Sequence, residues 1–122
     1  MISYAVLVLI AVVLNLCDRR MLVLIALVGT GIFAPVPAAN FYLICALGEV
    51  LIGLLSYRIG AFASRPVWRI SALLVVFHGL GYLMNGYPPA SPYHIIVQIC
   101  EHAELVACIL LSEVITKRWR NA

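Results

Sequence analysis

Apolar residues come in five runs along the chain, at 2–17, 21–36, 41–57, 70–84 and 93–116, with short polar breaks between them. Asp18-Arg19-Arg20 ends the first run, and Pro35-Val36-Pro37-Ala38-Ala39-Asn40 ends the second. The basic segment 58–69 follows the third, Asn85-Gly86-Tyr87-Pro88-Pro89 the fourth, and Lys117-Arg118-Trp119-Arg120 the fifth. Each run holds about 15 to 24 residues, so as a helix it reaches roughly 23–36 Å, against a hydrocarbon core of about 30 Å. In lipid the backbone must satisfy its own hydrogen bonds, and the runs lack the alternation of barrel strands. The expected fold is therefore all-α: a polytopic transmembrane helical bundle of five spans, forming a single integral membrane domain over 1–122.

Composition strengthens that expectation. Of 122 residues, 65% are hydrophobic and only 11% charged, where a soluble domain carries about a quarter charged. Mean hydropathy is +1.09. Such a chain cannot cover a water-facing surface with polar groups, which argues against a soluble enzyme, a disordered regulator or a nucleic-acid binder.

Charge sets the expected orientation. The basic residues are Arg19, Arg20, Arg58, Arg65, Arg69, Lys117, Arg118 and Arg120. With the first turn in the cytoplasm, all three basic clusters fall inside and both charge-free loops outside. The N-terminus is then out and the C-terminus in, and the basic tail with Trp119 anchors the last helix at the headgroups. The expected location is a bacterial inner membrane. The first run lacks a basic start and a small-x-small cleavage site, so it reads as a retained span. The cysteines at 17, 45, 100 and 108 form no CxxC pair and read as small hydrophobes.

The candidate chemistry lies in ionisable residues inside the runs. Glu49, His78, Glu101, His102, Glu104 and Glu113 are there, although charge is costly at that depth. Counted from the outer helix ends, Glu49, His78, Glu101 and His102 lie roughly 10–14 Å down, with Glu104 about a turn deeper. Helical spacing gives each of three helices a polar stripe. These are Tyr42, Cys45, Glu49, Gly53 and Ser56; Ser71, Val75, His78, Tyr82 and Asn85; and His94, Gln98, Glu101, Leu105, Cys108 and Ser112. The three helices are expected to face one another, with Glu49, His78, Glu101, His102, Glu104, Tyr82 and Gln98 forming a polar layer. The first two helices carry little beyond Asn15 and Thr30 and read as lipid-facing or packing helices.

Such a layer serves either as packing glue or as a path for protons or ions. No GxSxG, Walker, GxGxxG or HExxH pattern occurs, so no enzyme is expected. The expected function is an oligomeric channel or holin-like permeation protein. In size, in being multi-spanning and in its short basic tail the chain resembles phage holins. The alternative is a membrane-anchor or assembly subunit of a larger complex. In that role His78 and His102 are candidate haem ligands, and Glu101, His102 and Glu104 are contributors to a metal site.

Overall fold

The computed structural model describes residues 2–34, 40–60, 64–88, 91–112, 115 and 117. Among them the chain forms α1 (Ile2–Leu14), α2 (Arg19–Phe33), α3 (Phe41–Ile59), α4 (Ser64–Leu83) and α5 (Tyr93–Leu110). Three of these, α3, α4 and α5, are long and apolar enough to cross a membrane. That makes the molecule compatible with integral membrane placement. The shorter α1 and α2 have 13 and 15 residues, or about 20 and 22 Å of helix.

Local chemistry explains the helix ends. Asp18 caps α2 by accepting from the Met21 N–H at 3.3 Å, the role of an N-cap carboxylate. Thus the one aspartate is structural. Gly60 ends α3 with φ at +65°. At the end of α4, Asn85 and Gly86 are both left-handed, and Gly86 N–H donates to the Gly81 carbonyl at 2.8 Å. This closes the helix in a Schellman-type turn. The fourth helix starts at Ser64, six residues before the apolar run at 70, because Arg65 and Arg69 occupy its exposed side. The fifth ends at Leu110, short of residue 116. Glu113 and the tail residues Arg118, Trp119 and Arg120 lie outside the described residues, as do 35–39, 61–63 and the Pro89–Ala90 step.

Contacts between named residues fix the helix directions. Tyr42 packs at Gly81, Gly53 at Ser71, and Tyr57 against Trp68, so α3 and α4 are antiparallel. Ser71 meets Glu104 and His78 meets Tyr93, making α4 and α5 antiparallel as well. Ser3 meets His102 and Asn15 meets the Cys108 carbonyl, so α1 runs parallel to α5. The start of α1 thus lies part-way down α5, not level with its outer end. Arg19, Arg20, Arg58, Arg65, Arg69 and Lys117 consequently gather at one end of the bundle.

The α3–α4 contact is the most extensive. On α4 the buried residues are Ser64, Val67, Ser71, Leu74, His78 and Gly81. On α3 they are Glu49, Ile52 and Ser56. Both follow alternating three- and four-residue steps, the spacing of a coiled-coil seam. Within each seven-residue period one position is polar and the other apolar or glycine. Small residues let the backbones approach, as in membrane helix pairs generally.

Candidate functional site: a buried carboxyl seam beneath a tyrosine cluster

The polar residues fall into two levels. Along α4, Ser71 and His78 are seven residues apart, or about 10 Å.

At the deeper level Ser71 Oγ donates to Glu104 Oε1 at 3.0 Å. The Glu49 carboxyl lies beside the same hydroxyl. Glu104 is 1% exposed and Glu49 9%. Oε2 of Glu49 is buried and has no hydrogen-bond partner among the described residues. Glu49, Glu101 and Glu104 are close enough to interact electrostatically. Beside Glu101 stand the Tyr4 phenol of α1 and the His102 ring. The Tyr4 oxygen is buried there without strict hydrogen-bond geometry to any described group. Three acids from two helices thus share one region with a single serine hydroxyl between two of them. A hydroxyl both donates and accepts, so Ser71 can take a proton from one carboxyl as it passes its own to the other.

His102 stands on the α1 side of α5. Its Nδ1 is 2.7 Å from the Gln98 carbonyl, which can only accept, so Nδ1 carries the hydrogen. In the neutral ring Nε2 then accepts from Ser3 Oγ at 3.1 Å, and Tyr4 packs on the ring face at 4.2 Å. Nε2 thus ties α1 to α5, while Nδ1 is held within α5 itself.

At the outer level His78 Nδ1 is 2.7 Å from the Tyr93 hydroxyl. Tyr93 stacks on Tyr87 at 4.0 Å, and Tyr42 packs against both. The Tyr42 hydroxyl accepts from Tyr87 N–H at 3.1 Å, and the Tyr87 hydroxyl donates to the Phe77 carbonyl at 2.6 Å. Burial and the neighbouring Tyr42 raise the Tyr87 phenol above its usual pKa, which keeps that donor protonated. Gly81 makes the cluster fit. A Cβ there would lie 2.5 Å from Tyr42 and 2.7 Å from Tyr87.

A cavity of about 470 Å³ opens between α2, α3 and α5. Its polar lining includes Glu49, Glu101, His78, Tyr93 and Gln98, and its rim includes Ala34, Phe41 and His94 near the helix ends opposite the arginines. Glu104 does not line it; below, Leu105 and Cys108 are fully buried. The cavity therefore reaches Glu49, and Ser71 connects Glu49 to a carboxyl with no access of its own.

Of the residues expected in one polar layer, the structure brings Glu49, Glu101 and Glu104 together. His102 adjoins Glu101 but faces α1. His78 sits a level higher and meets Tyr93, not His102. Gln98 is exposed and lines the cavity. Tyr82 is 47% exposed and takes no part. The reason lies in the α4 stripe, which runs through Leu74 and Gly81 where the sequence suggested Val75 and Tyr82. Ser71 and His78 belong to both readings, but only glycine admits the tyrosines. The reading of α1 as a lipid-facing or packing helix also changes, because Tyr4 and Asn15 are buried against α5 and the exposed Ser3 hydrogen-bonds His102. Among the described residues, no three His, Cys, Asp or Glu side chains form a metal-holding group. Sequence reasoning missed Tyr93, Tyr4 and Ser64. Only Ser64 had a visible signal, its seven-residue spacing from Ser71 and His78.

Comparison of the chain with protein-family models, with curated proteins and with solved structures finds no match.

Proposed function

We propose that this is a five-span inner-membrane protein, N-terminus out and C-terminus in, that conducts protons or small cations through the Glu49–Ser71–Glu104 seam. The observation that carries the reading is the position of Ser71. It hydrogen-bonds a sealed carboxyl and adjoins one on the cavity wall. Isolated charge in a bilayer interior costs on the order of 2.5–3.5 kcal/mol or more. Two carboxyls flanking one hydroxyl need a proton or a cation to stay there, and the cavity is the route of supply. The gathering of basic residues at one end supports the orientation, with that end in the cytoplasm. The path in one copy ends at Glu104, so the working form is an oligomer or one that opens below this residue.

Flux in liposomes tests it. With a trapped pH dye and a potassium diffusion potential, the wild-type protein is expected to acidify the lumen. Glu49→Gln and Ser71→Ala are expected to slow that by tenfold or more, about 1.4 kcal/mol of barrier. Equal rates in wild type and both variants remove the seam from any permeation mechanism.

The alternative reading, an anchor or assembly subunit, is favoured by His102, whose ring nitrogens are both taken up within the bundle, Nε2 by Ser3 of α1 and Nδ1 by the Gln98 carbonyl of α5. In that case the protein leaves native membranes in stoichiometric complex with an unrelated chain and carries no flux alone.

A further inference from the structure

At the opposite end of the α3–α4 pair a second cavity, of about 320 Å³, is lined by Ser56, Tyr57, Gly60, Ser64, Arg65, Trp68 and Arg69. Its chemistry differs from that of the carboxyl seam. Tyr57 meets Trp68 edge-on at 5.8 Å and 85°. The Arg69 guanidinium lies over the Trp68 ring, 5.5 Å from its centre, a cation–π geometry that fixes the charge beside the opening. Arg58, in the last turn of α3, adds a third guanidinium at the same end. Trp and Tyr side chains are at home where hydrocarbon gives way to headgroups. Arginine binds phosphate oxygens through a planar fork, which favours it over lysine as a phosphate ligand. A small concavity at the end of two spanning helices, lined by two aromatic rings and two guanidinium side chains, suits a group that is anionic at one end and apolar at the other.

We propose that this cavity binds the phosphate of an anionic phospholipid, with Arg65 and Arg69 holding the phosphate oxygens and Trp68 and Tyr57 packing on the glycerol and upper acyl segments. The shared chemistry with a free phosphate ion is the oxyanion; the aromatic walls favour the lipid. The inference is independent of permeation and needs only that α3 and α4 cross the bilayer.

The test uses Trp68 as reporter. The chain has two tryptophans, so Trp119→Phe leaves Trp68 alone. The full-length variant is reconstituted in phosphatidylcholine bilayers containing increasing fractions of brominated phosphatidylglycerol or brominated phosphatidylcholine, and quenching is followed. The anionic lipid is expected to quench at about fivefold lower mole fraction or less, the electrostatic weight of one cation near an anionic surface. Arg65→Gln with Arg69→Gln is expected to abolish that preference. Arg65→Lys with Arg69→Lys, which keeps charge and fold, is expected to retain only part of it. Arg19→Gln with Arg20→Gln removes equal charge from the same end but not from the cavity, and is expected to leave the preference intact. Inorganic phosphate added to the brominated phosphatidylglycerol samples separates the two sources. No reversal of quenching identifies the lipid, and reversal at millimolar phosphate identifies the free anion in place of the lipid proposed. Equal quenching by both brominated lipids overturns the site, as does an equal loss from the Arg19/Arg20 variant.

Discussion

Between α3 and α4 small and polar side chains alternate with apolar ones, Gly53 lying against Ser71 and Glu49, Ser56 and Ser64 interleaved with Ile52, Val67 and Leu74, whereas α2 turns the aliphatic row Met21, Leu24, Ile25 and Val28 into the bundle. The second arrangement is that of a water-soluble core. In water each such aliphatic side chain contributes about 1.5–3 kcal/mol. Against lipid it contributes little, because acyl chains are as apolar as leucine. Close approach and hydrogen bonds therefore hold α3 to α4, while α1 and α2 need specific polar ties. Asn15 supplies one, donating to the Cys108 carbonyl of α5 at 3.1 Å as well as to Ala11 of its own helix. Ser3 and Tyr4 supply the others at His102. The two halves of the molecule thus depend on different interactions, and substitutions can tell them apart.

The largest effect is expected at Gly81. Gly81→Ala must displace Tyr42 and Tyr87, and overpacking of this kind costs about 1–3 kcal/mol. Two residues away, Gly79→Ala meets nothing within 4 Å, and its midpoint in a denaturing-detergent titration is expected to equal that of the wild type. If both glycines tolerate alanine alike, the tyrosine cluster does not organise the outer end. Next comes Ser71→Ala. It removes the hydrogen bond to Glu104, worth about 0.6 and up to roughly 1.7 kcal/mol between membrane helices, and should lower the same midpoint by less than Gly81→Ala does. Asn15→Leu is expected to cost about 0.6 kcal/mol. Its signature is regional: hydrogen exchange quickens in α1 and stays unchanged in α3 and α4. Uniform acceleration would mean that the two halves are one cooperative unit and the contrast is wrong. Smallest is Thr30→Val, expected within about 0.5 kcal/mol of wild type, since Thr30 is exposed and donates within its own helix to Ala26.

Hydropathy carried the five helices and their class, because long apolar runs leave a chain few alternatives. It did not carry their bounds at α4, where Arg65 and Arg69 read as loop although they ride on the exposed side of a helix that starts at Ser64. The acids of the seam were visible as costly charges in apolar surroundings. Their serine was visible only as a stripe residue, since a hydroxyl between two carboxyls is a tertiary fact. His78 was placed level with Glu101 by counting from helix ends, a method that assumes the ends are flush. The pairs His78–Tyr93 and Ser71–Glu104 show that they are not. Tyr93 and Tyr4 carried no signal within their apolar runs, because nothing local announces a partner on a distant helix.

The repeated spacing of Ser64, Ser71 and His78 opposite Glu49 and Ser56 has a further consequence. A ladder with evenly spaced rungs can be engaged one rung off, and sliding α4 by a single period would again set hydroxyl or imidazole against acid. Rungs alone therefore leave the alignment ambiguous. The glycine at position 81 is different, since it is the one glycine on the buried face of α4 and two phenol rings pack at it. It acts as the end stop of the slide, so that a residue with no side chain selects which of several chemically similar alignments the chain adopts.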